Sequence, residues 1–595
     1  MIRSPVRSTA RFAIPAALIV LAGCLVYWPS IRGGWIWDDA EEVAQNPVLR
    51  DSDGLEKIWF APAGTDYFPL KTTVQWLEWR AWGDDPAGYH AVGIALHLLS
   101  AFLFWRLLRR LGLRWAWAGG LLFAVHPLAV ESVAWIAELK NTLSLPFLLL
   151  AMLAYVEFSD RSDGAIQPGA ATRTQGRDGR PARPLSAPGS AGARPYYLLS
   201  LVLFLLAMLS KSSVVMFPVV ILLYCWWKRG RIGRADLAGA APFFAVSLGL
   251  GFVTVWFQHH RAIVAGHRLA GSLLSRLAGA GLSLGFYLGK CLWPTGLLPI
   301  YPRWEIDPVT PLDFAPWLAM AAIFACLWSR RDAWGRHAIF GLGFFAVNLL
   351  PVTGLVAMSY LRISRVADHF AYVPLLGILG LAVAGADRLT SADRPLVPDW
   401  LMKSGIAAVA LALAWQAHGY AEIFRNERTL WSYTVARNPG AWAAQGNLGY
   451  ALFQEGRVAE AIPLYREALR LNPDYAEARY DLGTALLRTN DVAGAIAEYE
   501  QAVRLQPASA EMQNNLGTAL VRAGRLADAA GHFEAAVALE PDYAEAHHNL
   551  GNAMLLTGRL PEAVRQYEEA LRLDPGDAAA KSGLEIAERA LQNGK

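Results

Sequence analysis

A 34-residue period in the last quarter of the chain constrains the fold more than any other feature of the sequence. Proline recurs at this interval, at Pro439, Pro473, Pro507, Pro541 and Pro575. A Leu-Gly pair recurs with the same period, at Leu448-Gly449, Leu482-Gly483, Leu516-Gly517 and Leu550-Gly551. A fixed period of this length is typical of stacked helical repeats, in which each repeat buries its apolar face against its neighbours. The sequence therefore predicts an α-helical solenoid.

Small and aromatic residues that follow the same period indicate the kind of repeat. Alanine occupies two positions, at Ala461, Ala495, Ala529 and Ala563 and at Ala468, Ala502, Ala536 and Ala570. An aromatic residue lies between them, at Tyr465, Tyr499, Phe533 and Tyr567. Small residues where paired helices approach, aromatics between them and a proline after the second helix are the tetratricopeptide pattern. We predict a degenerate half-repeat over 419–441, four repeats over 442–576 and a capping helix over 577–595.

One polar position recurs on the first helix of each predicted repeat, where side chains usually line the concave face. It holds Asn447, Asp481, Asn515 and Asn549. A ladder of such groups can hydrogen-bond an extended peptide backbone, which indicates a peptide-binding groove. Alternatively, these side chains only satisfy neighbouring helix ends, since Asn and Asp favour local hydrogen bonds. The sequence leaves both interpretations open.

Long apolar runs fill the chain between residues 12 and 418, and the whole sequence is 54% hydrophobic. Arg clusters alternate along these runs as the positive-inside rule requires of membrane spans. A further apolar stretch, 273–293, carries Arg276 and Lys290 and is predicted to be interfacial or re-entrant. We predict an all-α chain whose polytopic membrane domain, 1–418, has about eleven spans, at 12–28, 90–104, 115–124, 141–158, 196–209, 213–227, 237–257, 314–328, 338–355, from 373 to 383 and beyond, and 401–415.

Charge predicts the sidedness of these spans. Arg3, Arg7 and Arg11 precede the first span, so the amino terminus is predicted to be cytoplasmic. Segment 31–89 has eleven acidic and five basic residues and is predicted to be an outer loop. Segment 159–194, rich in Gly, Pro and Arg, is predicted to be a disordered cytoplasmic loop. An odd number of spans then puts the repeats outside the cytoplasm, in a multi-pass protein of the inner membrane.

Composition disfavours other classes of site and partner. The four cysteines lie in or beside apolar runs, so neither a disulfide framework nor a thiolate metal site is expected. The net charge of +4 comes mostly from Arg clusters beside the spans, which disfavours nucleic acid as a partner. The run from Leu21 to Cys24 matches a bacterial lipoprotein cleavage box, but the apolar stretch continues to Trp28, which favours an uncleaved span.

The predicted outer loop opens with two adjacent carboxylates, Asp38 and Asp39, directly after the first span. Beside Trp35 and Trp37 at a membrane surface, a carboxylate is partly desolvated, which suits it to take a proton from an attacking hydroxyl. Two carboxylates together could instead hold a divalent cation. Adjacent acids that begin a loop are also common helix caps. We treat Asp38 and Asp39 as candidate catalytic residues, with no assigned metal site.

Ionisable residues at the outer ends of other spans could bind a lipid-borne phosphate. The candidates are His126, Glu131, Lys211, Arg303, Arg362, Arg365 and His369. Such side chains at a membrane boundary are costly unless they are paired or functional. Arginine offers a departing phosphate a fork of donors as charge develops. A structural ion-pair cluster and anchoring at the lipid headgroups are the alternative explanations.

A series of short motifs accompanies the repeats in a fixed order. It consists of Trp37-Asp38-Asp39, Tyr67-Phe68-Pro69-Leu70, Pro86 to His90 with His97, His126-Pro127 to Trp135, Trp293-Pro294 with Tyr301-Pro302, and Ala367-Asp368-His369 to Tyr372-Val373-Pro374. The series resembles the transmembrane and tetratricopeptide-repeat O-mannosyltransferases of the secretory pathway and their bacterial relatives. The resemblance covers nearly the whole chain. It implies a membrane domain of the C-type glycosyltransferase (GT-C) fold, and a substrate-binding role for Asp368.

The resemblance also implies an activity. Such enzymes take a sugar from a polyprenyl phosphate, with the acidic motif of the first outer loop as base or metal site, which assigns the chemistry to Asp38 and Asp39. The expected product is a mannose-like sugar on a protein Ser or Thr presented by the repeats. A non-catalytic membrane anchor that displays a tetratricopeptide scaffold for protein assembly is the alternative hypothesis. Transport is a third, but the sequence has neither an inverted repeat in its hydropathy nor paired charges at mid-membrane.

Overall fold

A computed structural model of the chain describes residues 5–62, 64, 66–166, 190–262, 271–306, 308–356, 358–391 and 395–593. These residues form helices, turns and loops without a strand, which confirms the all-α prediction. The chain divides into two compact units, Met1–Leu430 and Trp431–Lys595. Of the predicted disordered loop 159–194, residues 159–166 and 190–194 are helical, and the rest lies outside the described residues.

The first unit is built from long helices joined by short helical turns and loops. In chain order the helices are α1 (Pro5–Ile31), α2 (Pro47–Arg50), α3 (Gly54–Phe60), α4 (Pro69–Trp82), α5 (Pro86–Arg110), α6 (Ala116–Ala124), α7 (Val130–Ala134), α8 (Leu139–Ile166), α9 (Ser190–Ser210), α10 (Phe217–Arg229), α11 (Arg234–Phe257), α12 (Leu273–Leu292), α13 (Ala315–Ser329), α14 (Gly335–Leu349), α15 (Leu375–Thr390), α16 (Asp399–Ala421) and the start of α17 (Glu427–Arg437), which continues into the second unit.

Ion pairs define one end of this unit, here called the basic end. Arg110 at the end of α5 pairs with Glu157 of α8, with 2.6 Å between Nη2 and Oε2. Lys228 at the end of α10 pairs with Asp160 of α8, with 2.7 Å between Nζ and Oδ1. The Arg clusters from which the orientation of the spans is predicted therefore meet at one end of the helices.

The opposite end, here called the loop end, carries the segment between α1 and α5. There the backbone N–H of Gly34 donates to the carbonyl of Arg425 at 2.9 Å, which brings the start of this segment to the end of α16. Gln258, just after α11, donates to Asp66 at 2.6 Å. The first unit thus ends, shortly after Arg425, at the loop end.

The sequence predicts about eleven spans, and that number stays a prediction. By length and apolarity, eight described helices can cross a membrane, or nine if α6 and the bent segment Pro127–Ala134 form one span. Helices α10 and α15 have only 13 and 16 residues and are too short to meet the same length criterion. Several apolar helices of this kind make the chain a membrane protein.

Helix α12 lies at the loop end and does not run between the ends. Near its start, Gly279 lies against the guanidinium of Arg365. Near its end, the hydroxyl of Tyr287 accepts the N–H of Ala367 at 2.9 Å. Both contacts join α12 to the segment before α15, and the interfacial or re-entrant position of 273–293 stays a prediction.

The second unit is a row of helix pairs at the predicted period. Its helices are α18 (Trp442–Gln454), α19 (Val458–Leu471), α20 (Ala476–Arg488), α21 (Val492–Leu505), α22 (Ala510–Arg522), α23 (Leu526–Leu539), α24 (Ala544–Leu556), α25 (Leu560–Leu573) and the terminal α26 (Ala578–Asn593). A side chain at Gly449 would place its Cβ 2.9 Å from the ring of Tyr465. The repeated Leu-Gly pair therefore exists because the aromatic residue of the second helix packs against the bare backbone of the first.

Candidate active site

The loop after α1 holds its carboxylates in an unusual backbone conformation. Trp37 has a φ of 56°, in the left-handed region that a bulky residue adopts only where the surroundings impose it. Its ring stacks on Trp135, with centroids 4.5 Å apart and planes 10° apart. The carboxylate of Glu427, at the start of α17, accepts the Trp37 N–H, and burial raises the pKa of Glu427 to about 7. Strain of this kind is concentrated at functional sites.

Asp39 is fully buried and both of its carboxylate oxygens are engaged. Oδ2 accepts the N–H of Ile36 at 3.1 Å, and Oδ1 accepts the N–H of Ala137 at 2.7 Å. Burial and the neighbouring charge of Asp38 raise the pKa of Asp39 well above its usual range. Because its oxygens fasten the loop to the segment before α8, Asp39 has the geometry of a positioning residue.

Asp38 differs from its neighbour because one of its oxygens is free. Oδ1 is buried and has no hydrogen-bond partner among the described residues. Burial, with the nearby charge of Glu42, raises the pKa of Asp38 to about 7. An unpaired carboxylate that titrates near neutrality is the form a general base requires. Of the two predicted catalytic residues, Asp38 is the one that the structure leaves available for chemistry.

Charged side chains that surround Asp38 form a network of alternating sign. Glu42 forms an ion pair with Lys71 of α4. Burial would raise the pKa of Glu42, but the ammonium groups of Lys71 and Lys140 lower it. Lys140 lies 3.0 Å from Oε1 of Glu138. Lys71 thus pairs with Glu42, and Lys140 with Glu138, next to the acidic pair of the loop.

Glu138 extends this network to Lys211, a predicted substrate-binding residue. Lys211 Nζ lies 3.3 Å from Oε2 of Glu138 and donates to Oδ1 of Asn141 at 2.7 Å. Lys211 is only 8% exposed, and burial lowers its pKa. A buried ammonium with both partners in place is held rigidly. Its position fits the ion-pair explanation weighed from the sequence, and a role toward a ligand remains a prediction.

Glu131 and His369 form a second buried pair. The backbone N–H of His369 donates to Oε2 of Glu131 at 2.9 Å, and the His369 ring Nδ1 lies 3.1 Å from Oε1. Asp368, the next residue, accepts the hydroxyls of Tyr301 at 2.7 Å and Tyr420 at 3.0 Å. Burial and the charge of Glu131 raise the pKa of Asp368 well above its usual range. The structure therefore brings Glu131, Asp368 and His369 together, and their role toward a substrate stays a prediction.

His126 has a different environment from the other predicted ligand-binding residues. Its Nδ1 accepts the N–H of Leu128 at 3.2 Å, and its Nε2 lies 3.2 Å from the carbonyl oxygen of Cys291. Because Nδ1 accepts, Nε2 carries the proton and donates to that carbonyl. Both ring nitrogens are thus used to join the turn after α6 to the end of α12, which is a structural role.

The predicted arginines lie at the same end without acidic partners. Within the described ranges, Arg303, Arg362 and Arg365 form no ion pair or hydrogen bond. A Cβ on Gly279 would meet Nη1 of Arg365 at 2.6 Å, so the guanidinium rests on a glycine of α12. Burial and the positive charge of Arg303 lower the pKa of Arg365. Guanidinium groups that face one another without a carboxylate favour an anionic ligand.

Several members of the site were not singled out from the sequence. Glu42, Lys71 and Glu427 belong to it, and their signals are weak. Glu42 follows the acidic pair by three residues, and Lys71 follows the Tyr67 to Leu70 motif. Glu427 lies nearly 390 positions from Trp37, so only the tertiary structure could join them. Within the described residues, no group of three His, Cys, Asp or Glu side chains is arranged to hold a metal ion.

The polar ladder of the repeats is engaged in part with neighbouring repeats. Asn515 donates to the hydroxyl of Tyr480, and Asn549 donates to Oδ1 of Asn514 at 3.0 Å. The side chain of Asn447 forms no hydrogen bond with the described residues. Burial and the charges of Glu477 and Glu511 raise the pKa of Asp481 to about 7. Two of the four side chains thus hydrogen-bond a side chain of the preceding repeat, and both the peptide-binding role and the local explanation stay predictions.

The raised pKa of Asp481 predicts a pH-dependent stability for the repeats. The folded state keeps the Asp481 proton up to about pH 7, whereas the unfolded chain loses it near 3.8, so this stability falls as pH rises through that window. Asp481→Asn should therefore stabilise residues 431–595 at pH 8 by about 1–2 kcal/mol, after allowance for partial exposure, with little change at pH 3.5. Urea unfolding at both pH values measures this. Asp474→Asn, an exposed matched control, should change stability by less than about 0.5 kcal/mol.

Comparison with known proteins relates both units to one family. Two family models described as tetratricopeptide repeat match residues 435–517 and 514–578. The human protein O-mannosyl-transferase TMTC1 is 25% identical over 524 residues, which cover 78% of this chain and 55% of the relative. The Drosophila melanogaster protein O-mannosyl-transferase Tmtc3 is 24% identical over 559 residues, 79% of this chain and 56% of the relative. This chain is similar in sequence to the protein O-mannosyl-transferases.

The similarity to these O-mannosyl-transferases extends across both units, because matches of this length cannot fit in the repeats alone. The chain spans little more than half the length of the two relatives. Among solved structures, the chain is similar to YrrB, described as a TPR protein with an unusual peptide-binding site, at 24% identity. That match covers 27% of this chain and 84% of YrrB, with a TM-score of 0.26.

Proposed function

We propose that the chain is an integral-membrane glycosyltransferase. It would move a mannose-like sugar from a polyprenyl-phosphate donor to a Ser or Thr hydroxyl of a protein acceptor. The observation that carries the proposal is the free, buried oxygen of Asp38, on a strained loop at the same end of the helices as the unpaired arginines. The names of the homologous proteins support the same reaction class.

In the proposed reaction, Asp38 is the general base. Its carboxylate removes the proton from the acceptor hydroxyl while the hydroxyl oxygen forms a bond to the anomeric carbon of the sugar. The bond between that carbon and the phosphate oxygen breaks, and the phosphate departs with the bonding electron pair. The proton remains on Asp38 until solvent removes it. A pKa of about 7 suits both halves of this cycle, since the base is partly ionised and readily reprotonated near neutrality.

Arg365 and Arg303 are proposed to bind the phosphate. The charge on the departing phosphate increases as the bond breaks, and guanidinium groups without carboxylate partners are placed to offset that increase. Binding of the anion would also relieve the repulsion between the two arginines. The charge network around Glu138 would keep the loop and Asp38 in position. A divalent cation is the alternative ligand for the acidic pair. Asp38 would offer it one free oxygen, and no step of the proposed reaction requires the cation.

The repeat unit is proposed to present the protein acceptor outside the cytoplasm. The first unit ends at the loop end, where Asp38 lies, and the repeats follow in the sequence. With the basic end in the cytoplasm, as the positive-inside rule predicts, this arrangement gives a multi-pass inner-membrane protein with a cytoplasmic amino terminus. A reporter enzyme fused after Lys595 tests it: activity confined to the cytoplasm would exclude the proposed sidedness.

A transfer assay tests the proposed activity. Purified protein is incubated with polyprenyl-phosphate mannose, labelled in the sugar, and with Ser- and Thr-rich acceptor peptides, and the label in peptide is counted. Acceptor-dependent label supports the proposal. Two results favour the alternative of a non-catalytic scaffold. In one, label appears only in released mannose; in the other, no donor gives labelled peptide while the repeats still bind partners.

Removal of one phosphate-binding arginine should reduce transfer without unfolding the protein. Arg365→Gln deletes a charge-assisted hydrogen bond to the phosphate, worth about 1.5–3 kcal/mol, so kcat/KM for the lipid donor should fall about 10- to 150-fold. Arg261→Gln is the matched control, because Arg261 is an exposed arginine at the loop end that donates to the backbone carbonyls of Pro62 and Gly64 and has no acidic partner among the described residues. Equal losses in the two variants would contradict the assignment.

A further inference from the structure

An apolar cleft with an empty volume of about 960 Å³ lies near the basic end of the first unit. It is lined by α5, α8, α10, α14 and α15, and residues that face it include Leu107, Tyr224, Phe340 and Gly380. Its walls are apolar, so water gains no hydrogen bonds from them and a hydrocarbon chain is the better occupant.

The mouth of the cleft carries positive charge that is not neutralised. Trp227 and His337 line it, and the Trp227 indole donates to Nδ1 of His337 at 2.9 Å. Arg336 and Arg388 both lie close to His337. Neither arginine forms an ion pair or a hydrogen bond with any described residue, and Nε of Arg336 is buried without a partner.

This pair of arginines differs from other cations of the basic end, several of which already have acidic partners. Lys228 pairs with Asp160 and Asp163, for example, and both carboxylates are therefore occupied. Arg336 lies beside this group, with Nη1 about 3.1 Å from where a Cβ on Gly230 would be. An unpaired, partly buried guanidinium above an apolar cleft matches a ligand with an anionic head and a hydrocarbon tail.

The cleft is too far from Asp38 to hold the reacting head of a donor lipid. Helix α5 begins at the loop end, where Tyr89 contacts Trp35 with ring centroids 5.1 Å apart. The cleft contacts α5 only from Phe104 to the helix end. At a rise of 1.5 Å per residue, Leu107 lies about 27 Å along the helix from Tyr89. A phosphate at Arg336 is thus bound at the opposite end from the candidate active site.

We propose that this cleft is a binding site for an anionic glycerophospholipid of the bilayer. One acyl chain occupies the cleft, and the phosphate head binds Arg336 and Arg388. Basic pockets between membrane helices bind anionic headgroups in this way. The occupant is a bilayer lipid and not the sugar donor, because the head lies at the end remote from Asp38. The site is independent of the proposed transferase reaction.

Native mass spectrometry of the full chain in a neutral detergent tests the proposal. Phosphatidylglycerol, phosphatidylcholine and polyprenyl phosphate with matched chain mass are titrated separately. Each nearby arginine contributes about fivefold in affinity for an anionic head, so phosphatidylglycerol should bind more than tenfold tighter than phosphatidylcholine. Arg336→Gln should weaken phosphatidylglycerol about fivefold, and Arg336→Gln with Arg388→Gln about 25-fold.

Two further variants separate the cleft from general surface charge. Gly380→Leu fills the cleft without a change of charge, since a Cβ there meets only Leu108 at 3.6 Å, and should reduce binding at least fivefold. Arg331→Gln, an exposed arginine over Trp328 that does not line the cleft, should have no effect. Equal binding of the two glycerophospholipids, a fivefold loss of polyprenyl-phosphate binding in the Arg336→Gln variant, or full binding by the Gly380→Leu variant would each overturn the proposal.

Discussion

Asp38→Asn is expected to reduce sugar transfer about 10²- to 10⁴-fold while the protein still accumulates in membranes. The amide keeps the shape of the side chain but cannot take the proton of the acceptor hydroxyl, which removes general-base catalysis. The loss should appear in kcat, with little change in donor KM, because Asp38 acts on the acceptor in the transition state. Initial rates of label transfer to acceptor peptide measure it.

Two comparisons make the Asp38 result specific. Glu41→Gln removes an exposed carboxylate three positions away and should leave the rate within about twofold. In the wild type, log kcat should rise with pH and level off above about pH 7, since the raised pKa of Asp38 leaves the base protonated in acid. A rate that is independent of pH between 5 and 8, or an Asp38→Asn variant with normal turnover, would contradict the assignment of the base.

Glu138→Gln is expected to destabilise the first unit by about 3–5 kcal/mol. Glu138 is buried and lies within 3.3 Å of Lys211 and 3.0 Å of Lys140. Removal of its charge leaves the buried ammonium of Lys211 without a carboxylate partner and takes the nearest carboxylate from Lys140, and breaking a buried pair in this way costs several kcal/mol. Thermal unfolding in detergent, followed by loss of the monodisperse peak, measures the change.

The same helix offers a matched control for Glu138. Glu157, near the other end of α8, pairs with Arg110 and Arg161, but its side chain is 27% exposed and that of Arg110 41%. Glu157→Gln should therefore cost less than about 1 kcal/mol. Adding Lys211→Gln to Glu138→Gln should recover part of the lost stability, because one uncompensated charge is removed. If the double variant is less stable than Glu138→Gln, the buried pair is not the cause.

The two predictions address different properties of one site. Asp38 has an unoccupied oxygen and should affect rate, whereas Glu138 has all its charge compensated and should affect stability. A protein whose only task is to display the repeats would need the second property and not the first. An Asp38→Asn variant that binds partners normally but no longer transfers sugar would therefore support the proposed enzyme. A variant that is normal in every respect would favour the alternative scaffold.

The repeats could be predicted closely from the sequence because their contacts are local. Each glycine of the Leu-Gly pair meets the aromatic residue about 16 positions later, as Gly449 meets Tyr465, and every repeat packs mainly on the next. The family-model matches over 435–578 confirm that interpretation. The spacing of the Arg clusters also predicted that successive apolar runs alternate in direction between two ends, since charge at helix ends is a local signal.

The candidate site could be predicted only in outline. Asp38 and Asp39 are indistinguishable in the sequence. They differ in the structure because the backbone N–H groups of Ile36 and Ala137 both donate to Asp39 and not to Asp38. His126 was grouped with ligand-binding residues by its position, whereas its ring joins two backbone segments. Segment 159–194 was predicted as one loop, but α8 and α9 extend into it because helix ends do not follow composition closely.

The sequence by itself determined the all-α class, the repeat period, the apolar spans and the acidic position at which chemistry is proposed. Each depends on residues close together in the chain, where periodicity and charge carry the signal. Only the tertiary structure decided which carboxylate keeps a free oxygen, which lysines compensate Glu138, and that Glu427 accepts the Trp37 N–H. Those properties arise from contacts between helices far apart in sequence, and burial there changes the proton affinity of groups that appear equivalent in the chain.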